Sequence, residues 1–78
     1  MERYGNKSGD SGVYAYEIDM DYIRVQFFVT SRTYTYSYRK SGSTHVDNMK
    51  QLARYGSGLN NYIKRHTKYL YDQLFVQE

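Results

Sequence analysis

The basic residues near the C-terminus are the side chains best suited to chemistry with a charged partner. Lys64, Arg65 and Lys68 lie within five positions of one another, and a helix would place Lys64 and Lys68 on one face. Arg39 and Lys40 stand together in a polar stretch further upstream. Such a cluster can neutralise phosphates, and it can equally be a solvated helix face. We include all five residues in a predicted nucleic-acid site.

The charge of the chain is divided unevenly between its halves. Residues 39–78 hold seven basic and three acidic residues, a net charge of +4, while residues 1–38 hold four basic and five acidic residues, a net charge of −1. An excess of positive charge on one part of a small domain favours an anionic partner. Together with a mixed sheet face and a family resemblance, this charge leads us to expect RNA or single-stranded nucleic acid as the partner.

Catalytic and metal-binding patterns are not found in the sequence. Cysteine is absent, and the two histidines, His45 and His66, are twenty-one positions apart. His66 falls on an apolar helical stripe and is expected to be a core residue. No two carboxylates lie in settings that would separate their pKa values, as a general acid–base pair requires. The sequence predicts a protein that is not an enzyme and holds no metal or cofactor.

A strongly alternating strand runs from Tyr22 to Thr30. One of its faces is apolar, with Ile23, Val25, Phe27 and Val29, and the other is mixed, with Tyr22, Arg24, Gln26 and Phe28. A basic and an aromatic side chain on an uncovered sheet face are typical of single-strand binding surfaces, so Arg24 and Phe28 join the predicted site. The same residues would suit a homodimer or another protein partner. Both alternatives remain open.

Three tyrosines on the next strand decide the orientation of the predicted sheet. Tyr34, Tyr36 and Tyr38 alternate with hydroxyl-bearing residues from Thr33 onward. The row could be a stacking platform for bases, but its phase matches a sheet face covered by helices. We predict that it lies in the core, and that Arg24 lies on the bare face.

The order of these patterns predicts an α+β fold. A strand at 13–19, the strand at 22–30 and a strand at 33–38 have short links and form an antiparallel meander. Apolar residues then recur at helical spacing, in one helix ending at Gly56 and in a second that starts near Ser57 and continues to Leu70 or Leu74. Because the strands precede the helices, we expect two α-helices packed on one face of a three-stranded sheet.

The 78 residues are enough for one domain, predicted over residues 13–76. Residues 1–12 contain three glycines, two serines and mixed charges without a period, and we predict a disordered tail. No stretch is long and apolar enough for a membrane span, and the first residues do not have the pattern of a secretion signal. The sequence therefore predicts a cytoplasmic protein without a membrane partner.

The chain contains, in this order, Tyr34-Thr-Tyr36, Leu52-Ala53, Gly56-Ser-Gly-Leu-Asn60, Ile63 and Tyr69. These motifs, over roughly residues 13–71, resemble the KTSC domain, a module of about sixty residues found at the C-terminus of some lysyl-tRNA synthetases and as small proteins of bacteria and phages. The chain departs from the family at Arg54, where a serine is common. The resemblance implies a binding module for RNA, with no associated reaction.

Overall fold

The computed structural model describes residues 1–7, 9, 12–30 and 32–76, the last four of these by their backbone alone. One antiparallel sheet has five described strands, in chain order: β1 (Glu2–Arg3), β2 (Val13–Ile18), β3 (Tyr22–Phe27), β4 (Arg32–Ser37) and β5 (Gln73–Val76). Between β4 and β5 lie α1 (Tyr38–Ser41), α2 (Ser43–Tyr55), α3 (Leu59–Tyr62) and a π-helical segment (Ile63–Thr67). The α+β class is confirmed; the count of three strands and two helices is corrected.

The register of β3 against β4 confirms the predicted face for Tyr34 and Tyr36, whereas Tyr38, the third tyrosine of the predicted row, lies outside the strand as the first residue of α1. Ile23 lies opposite Tyr36, and Val25 lies opposite Tyr34, so all four side chains share one face of the sheet. Ile23 and Val25 are fully buried, and Tyr36 is 1% exposed. Alternation therefore identified the face that packs against the helices. The opposite face is not bare as predicted, because Thr33 and Thr35 of β4 are only 3% and 7% exposed.

The helices supply the second half of the core. Val46, Met49 and Ala53 recur along α2 at helical spacing and are buried in the same cluster as Ile23 and Tyr36. The next contribution comes after Gly56, from Leu59 and Ile63. The core thus forms between one sheet face and the apolar stripe of α2, which positions the π-helical segment beside the sheet.

The extra strand β5 and the end of β3 differ from the predicted elements. Val29 was predicted on the apolar face, but β3 ends at Phe27, and Val29 is 93% exposed in the following turn. Leu74 was considered for the second helix, but it lies in β5, opposite Tyr34. A short run of three or four residues fits both the alternation of a strand and the spacing of a helix, so its apolar pattern does not distinguish the two structures.

The N-terminal residues are also part of the sheet. Glu2 and Arg3 pair with Tyr16 and Ala15 of β2, so the predicted disordered tail is corrected over residues 2–4. Tyr4 follows and is buried, where its hydroxyl accepts a hydrogen bond from the Leu59 amide at 3.2 Å. A two-residue strand is too short to produce a periodic signal. Residues 8, 10 and 11 of the predicted tail lie outside the described residues.

A bulge in β2 changes which side chain faces the core. The register against β3 shifts between Val13 and Ala15, and Val13 is fully buried. Regular alternation along the predicted strand 13–19 places Tyr14 on the same face as Tyr16, but the Tyr14 ring instead makes an edge-to-face contact with Phe28 at 4.9 Å. A single inserted residue reverses the alternation, which a sequence pattern cannot reveal.

The C-terminal end of α2 requires glycine for two reasons. Gly56 has a φ of +88° and its amide donates to the Leu52 carbonyl, as in a left-handed helix cap. A Cβ at this position would also lie 3.3 Å from the Gly5 Cα, and the Lys7 amide donates to the Gly56 carbonyl at 2.7 Å. Gly56 therefore ends the helix and holds the N-terminal segment against it.

We expect Gly56→Ala to destabilise the domain by about 2 kcal/mol, because alanine is strained at positive φ and crowds the Gly5 backbone. Thermal unfolding followed by circular dichroism measures the loss. Gly58→Ala is the matched control: Gly58 has the same φ of +88°, but its Cβ would meet only the Leu52 side chain at 3.5 Å. Equal losses in the two variants would contradict a role for the close approach to Gly5.

The π-helical segment moves His66 out of its predicted place. Thr67 is fully buried and donates a hydrogen bond to the Met49 sulfur at 3.4 Å, whereas His66 is exposed. Hydrogen bonds between residues five apart add about one residue to a helical turn, so the buried stripe continues from Ile63 to Thr67. The prediction that His66 is a core residue is wrong for this reason.

Candidate nucleic-acid interface

A groove of about 320 Å³ lies between the end of the sheet and the π-helical segment. It is formed by residues from β3, β4, α3, the π-helical segment and the chain that follows it. The lining residues are Phe27, Thr30, Tyr34, Tyr36, Asn60, Ile63, Lys64, Lys68, Tyr69 and Tyr71. Half of them are aromatic, two are lysines and none is acidic, so the groove combines rings with positive charge.

The aromatic wall of the groove is centred on Tyr34. Its ring makes edge-to-face contacts with Phe27 at 5.5 Å and with Tyr71 at 4.8 Å, centroid to centroid. The Tyr36 ring lies nearly parallel to it at 6.4 Å. Tyr34 is half-buried, so it belongs both to the edge of the core and to the wall of the groove. Edge-to-face packing holds these rings in place and leaves an aromatic surface for a planar ligand.

The phenol of Tyr36 is the most deeply buried ring of the groove. Burial raises the pKa of the Tyr36 hydroxyl far above its ordinary value of 10, and the neighbouring phenols of Tyr34 and Tyr71 act in the same direction. A phenol that stays protonated donates and accepts hydrogen bonds without adding negative charge. The floor of the groove is therefore compatible with an anionic ligand.

The rim of the groove carries its positive charge. Lys64 and Lys68 are both exposed, four residues apart along the π-helical segment and its end. The Lys68 ammonium lies 5.4 Å from the centroid of the Tyr69 ring, which is 76% exposed. A second cavity of about 350 Å³ shares Lys64, Lys68 and Tyr69 with the groove and adds Arg65. Lys64, Lys68 and Tyr69 thus form a ridge between the two cavities, and basic side chains line both sides of it.

Arg24 and Phe28 lie away from this groove. Arg24 is on the sheet face opposite the helices, where its guanidinium lies 3.3 Å from the Glu17 carboxylate and 5.0 Å from the Tyr22 ring. Phe28 follows the end of β3 and packs edge-on against Tyr14. The ion pair of Arg24 with Glu17 reduces the positive charge that the predicted surface offers to phosphates.

Arg39 and Lys40 are exposed on α1, immediately after β4. They are not part of the groove, so the structure brings together three of the seven predicted contact residues, Lys64, Arg65 and Lys68, around the ridge. The aromatic residues of the groove were missed as contacts. Tyr34 was assigned to the core, and Tyr69 and Tyr71 follow the π-helical segment, where no period identifies them.

A larger cavity of about 730 Å³ lies at the C-terminal end of β2, and unlike the groove it contains acidic side chains. Its lining includes the Glu2 and Glu17 carboxylates, with Arg54 as the basic member. The Tyr16 hydroxyl donates to the Glu2 carboxylate at 2.9 Å. Two carboxylates repel phosphates, so size alone does not make this cavity the nucleic-acid site.

Comparisons with known proteins gave no match to a family model, to a curated protein or to a solved structure. Within the described ranges, no group of three or more histidine, cysteine or acidic side chains is placed to hold a metal ion. In that same part of the chain, every helix is too short or too polar to cross a membrane.

Proposed function

We propose that the protein is a small, non-enzymatic module that binds single-stranded nucleic acid, RNA foremost, in the groove between β4 and the π-helical segment. The observation that carries this proposal is the combination of aromatic walls with Lys64 and Lys68 on the rim. Single-stranded nucleic acids are bound in this way, by rings that stack with bases and cations that follow the backbone.

The two lysines have the role of phosphate contacts in this proposal. They lie on one side of the groove, and Arg65 lies beside them in the adjoining cavity. Tyr34 and Tyr69 provide the aromatic surface, and Tyr69 is exposed enough to be reached without a change in the core. Unpaired bases fit this arrangement better than a duplex, whose bases are stacked on each other. The resemblance to the KTSC domain supports the same partner.

The remaining predicted contacts have a separate position in the proposal. Arg24 on β3, Phe28 after the end of β3, and Arg39 and Lys40 on α1 do not line the groove. These four residues stay predicted contacts, and a nucleic acid long enough to extend beyond the groove would be needed to reach them. Their substitution is therefore expected to affect affinity less than substitution at the groove.

Binding of a single-stranded octanucleotide tests the proposal. We expect fluorescence anisotropy to show weak, salt-sensitive binding, with a slope of log affinity against log salt between about −1.4 and −2, as for two or three phosphates contacted by Lys64, Arg65 and Lys68. A duplex of the same length is the matched control and should bind more weakly. Absence of binding up to millimolar protein, or a preference for the duplex, would contradict the proposal.

Phe28 supports the alternative function, a protein contact. Its side chain is 50% exposed, and the Arg3 guanidinium lies 4.2 Å from the ring of Tyr14, the contact partner of Phe28. Exposed aromatic and arginine side chains are enriched in protein interfaces. Light scattering distinguishes the two functions, since a dimer in which Phe28 becomes protected from solvent would favour this alternative.

A further inference from the structure

Two histidines far apart in the sequence lie together on the surface where α2 meets the π-helical segment. The ring centroids of His45 and His66 are 5.6 Å apart, with an angle of 27° between their planes. The Tyr62 ring lies 4.5 Å from the His66 ring and 5.8 Å from the His45 ring. His66 is exposed and His45 is half-buried, so a ligand from solvent can reach the pair.

Hydrogen bonds hold one of these imidazoles in a defined orientation. His45 Nδ1 lies 2.7 Å from the Tyr62 hydroxyl oxygen, which also accepts a hydrogen bond from the Asn48 amide at 3.1 Å. With Nδ1 engaged in this way, Nε2 is the atom of His45 that remains for a ligand. The orientation of the pair is thus set by the protein.

The surroundings of the pair are basic. The π-helical segment contributes Lys64 and Arg65, which line one cavity together with His66 and Lys68. His45 itself lies in the first turn of α2, where the free amides make the helix end positive. The exposed basic residues of α1, which packs against α2, are Arg39 and Lys40.

Acidic groups do not offset this charge at the pair. Asp47, the acidic residue closest to His45 along α2, accepts a hydrogen bond from the Tyr38 hydroxyl. Throughout the described ranges, no carboxylate forms a hydrogen bond or ion pair with either imidazole. Among the residues that the structure describes, Tyr62 is the titratable group whose ring contacts the pair.

Two classes of ligand use paired imidazoles, transition-metal ions and anions. A metal ion usually takes three or four protein ligands. The pair offers two, and no third histidine or carboxylate of the described residues is grouped with them. The nearby lysines, the arginine and the positive helix end repel a dication and attract an anion. The electrostatics therefore favour an anion.

We propose that His45 and His66 form a phosphate subsite whose positive charge is supplied by protonation. The proposal rests on the proposed function, because the subsite adjoins the ridge of Lys64 and Lys68 and would take the phosphate of a nucleotide next to the one in the groove. An imidazolium donates a charge-assisted hydrogen bond to a phosphate oxygen, which a neutral imidazole cannot match.

This subsite makes nucleic-acid binding depend on pH. A protonated imidazole carries a positive charge and donates hydrogen bonds from both ring nitrogens, so acidification adds positive charge beside the groove. We expect an octauridylate to bind about tenfold more tightly at about pH 5.5 than at about pH 8, as for one added charge-assisted contact. The salt slope should steepen by about 0.7 for each phosphate gained.

The test compares the wild type with His45→Gln/His66→Gln and with Lys64→Gln, by anisotropy with octauridylate at both pH values. The double histidine variant should equal the wild type at the higher pH and show no gain on acidification. Lys64→Gln should bind more weakly at both pH values and still show the gain. Thermal unfolding of each variant confirms that it is folded.

The outcomes separate this proposal from the proposed function. Binding at the higher pH with an unchanged gain in the double histidine variant would overturn the subsite and leave the groove intact, whereas no binding at any pH would contradict both. Nuclear magnetic resonance of the histidine rings adds a direct probe. Inorganic phosphate should shift both rings, and a shift with Zn²⁺ but none with phosphate would overturn the proposal.

Discussion

Tyr36→Ala is expected to destabilise the domain by about 3 to 5 kcal/mol, because it removes a fully buried aromatic ring and leaves a cavity. Tyr36 is 1% exposed. It lies opposite Ile23 of β3, and its ring stacks with that of Tyr34 on its own strand, β4. A domain of this length has a total stability of about 4 to 12 kcal/mol, so the loss is a large part of it. Urea unfolding should show a strongly lowered midpoint or an unfolded variant.

Tyr36→Phe is the matched control, since it keeps the ring and removes the hydroxyl. No hydrogen bond of this hydroxyl occurs within the described residues, so we expect stability at neutral pH to change by less than about 1 kcal/mol. A large loss at neutral pH in Tyr36→Phe would contradict the assignment of the ring as the stabilising group.

The control also tests the pH dependence of stability. Burial raises the pKa of Tyr36 above its ordinary value of 10, so above pH 10 the unfolded chain releases this proton while the folded chain retains it. Its contribution is complete below pH 10 and is lost as pH rises, by about 1.4 kcal/mol per pH unit. Burial also raises the pKa of Tyr4 and Tyr16, and both groups remain in Tyr36→Phe. We therefore expect the variant to lose stability above pH 10 as well, but less steeply than the wild type, which has all three groups.

Lys64→Glu/Lys68→Glu is expected to weaken single-strand binding by about 2 to 3 kcal/mol, or roughly 30- to 150-fold, because two phosphate contacts become repulsive. Both side chains are exposed on the rim of the groove, so the variant should fold normally. Anisotropy at low salt measures the loss, and circular dichroism confirms the fold.

Arg39→Glu/Lys40→Glu makes the same change in net charge at a different place. Both residues are exposed on α1, outside the groove, so we expect at most a few-fold loss from the changed long-range field. Equal losses in the two double variants would show that net charge, and not the groove, determines binding. A larger loss at Arg39 and Lys40 would place the contact on α1.

The candidate site shows which part of a binding surface a sequence can indicate. Lys64 and Lys68 were identified because two charges four residues apart share a helix face whatever the helix packs against. Tyr34 was placed correctly on the covered face, but its position at the edge of the core, and hence in the groove, depends on where the helices end. Tyr69 and Tyr71 reach the groove because the chain turns back to β5 after the π-helical segment.

The covered sheet face, the α+β class and the end of α2 at Gly56 follow from the sequence by itself. Each depends on residues close together in the chain, through alternation, helical spacing or the freedom of glycine at positive φ.

Tertiary structure decided the edge strands β1 and β5, the bulge at Val13, and the meeting of His45 with His66. It also decided the burial of Lys50, which is 7% exposed and donates to the Met20 carbonyl at 3.0 Å and to the Tyr38 hydroxyl at 3.3 Å. These features join segments that are far apart in the sequence. Their partners are set by how the whole chain packs, which no local period encodes.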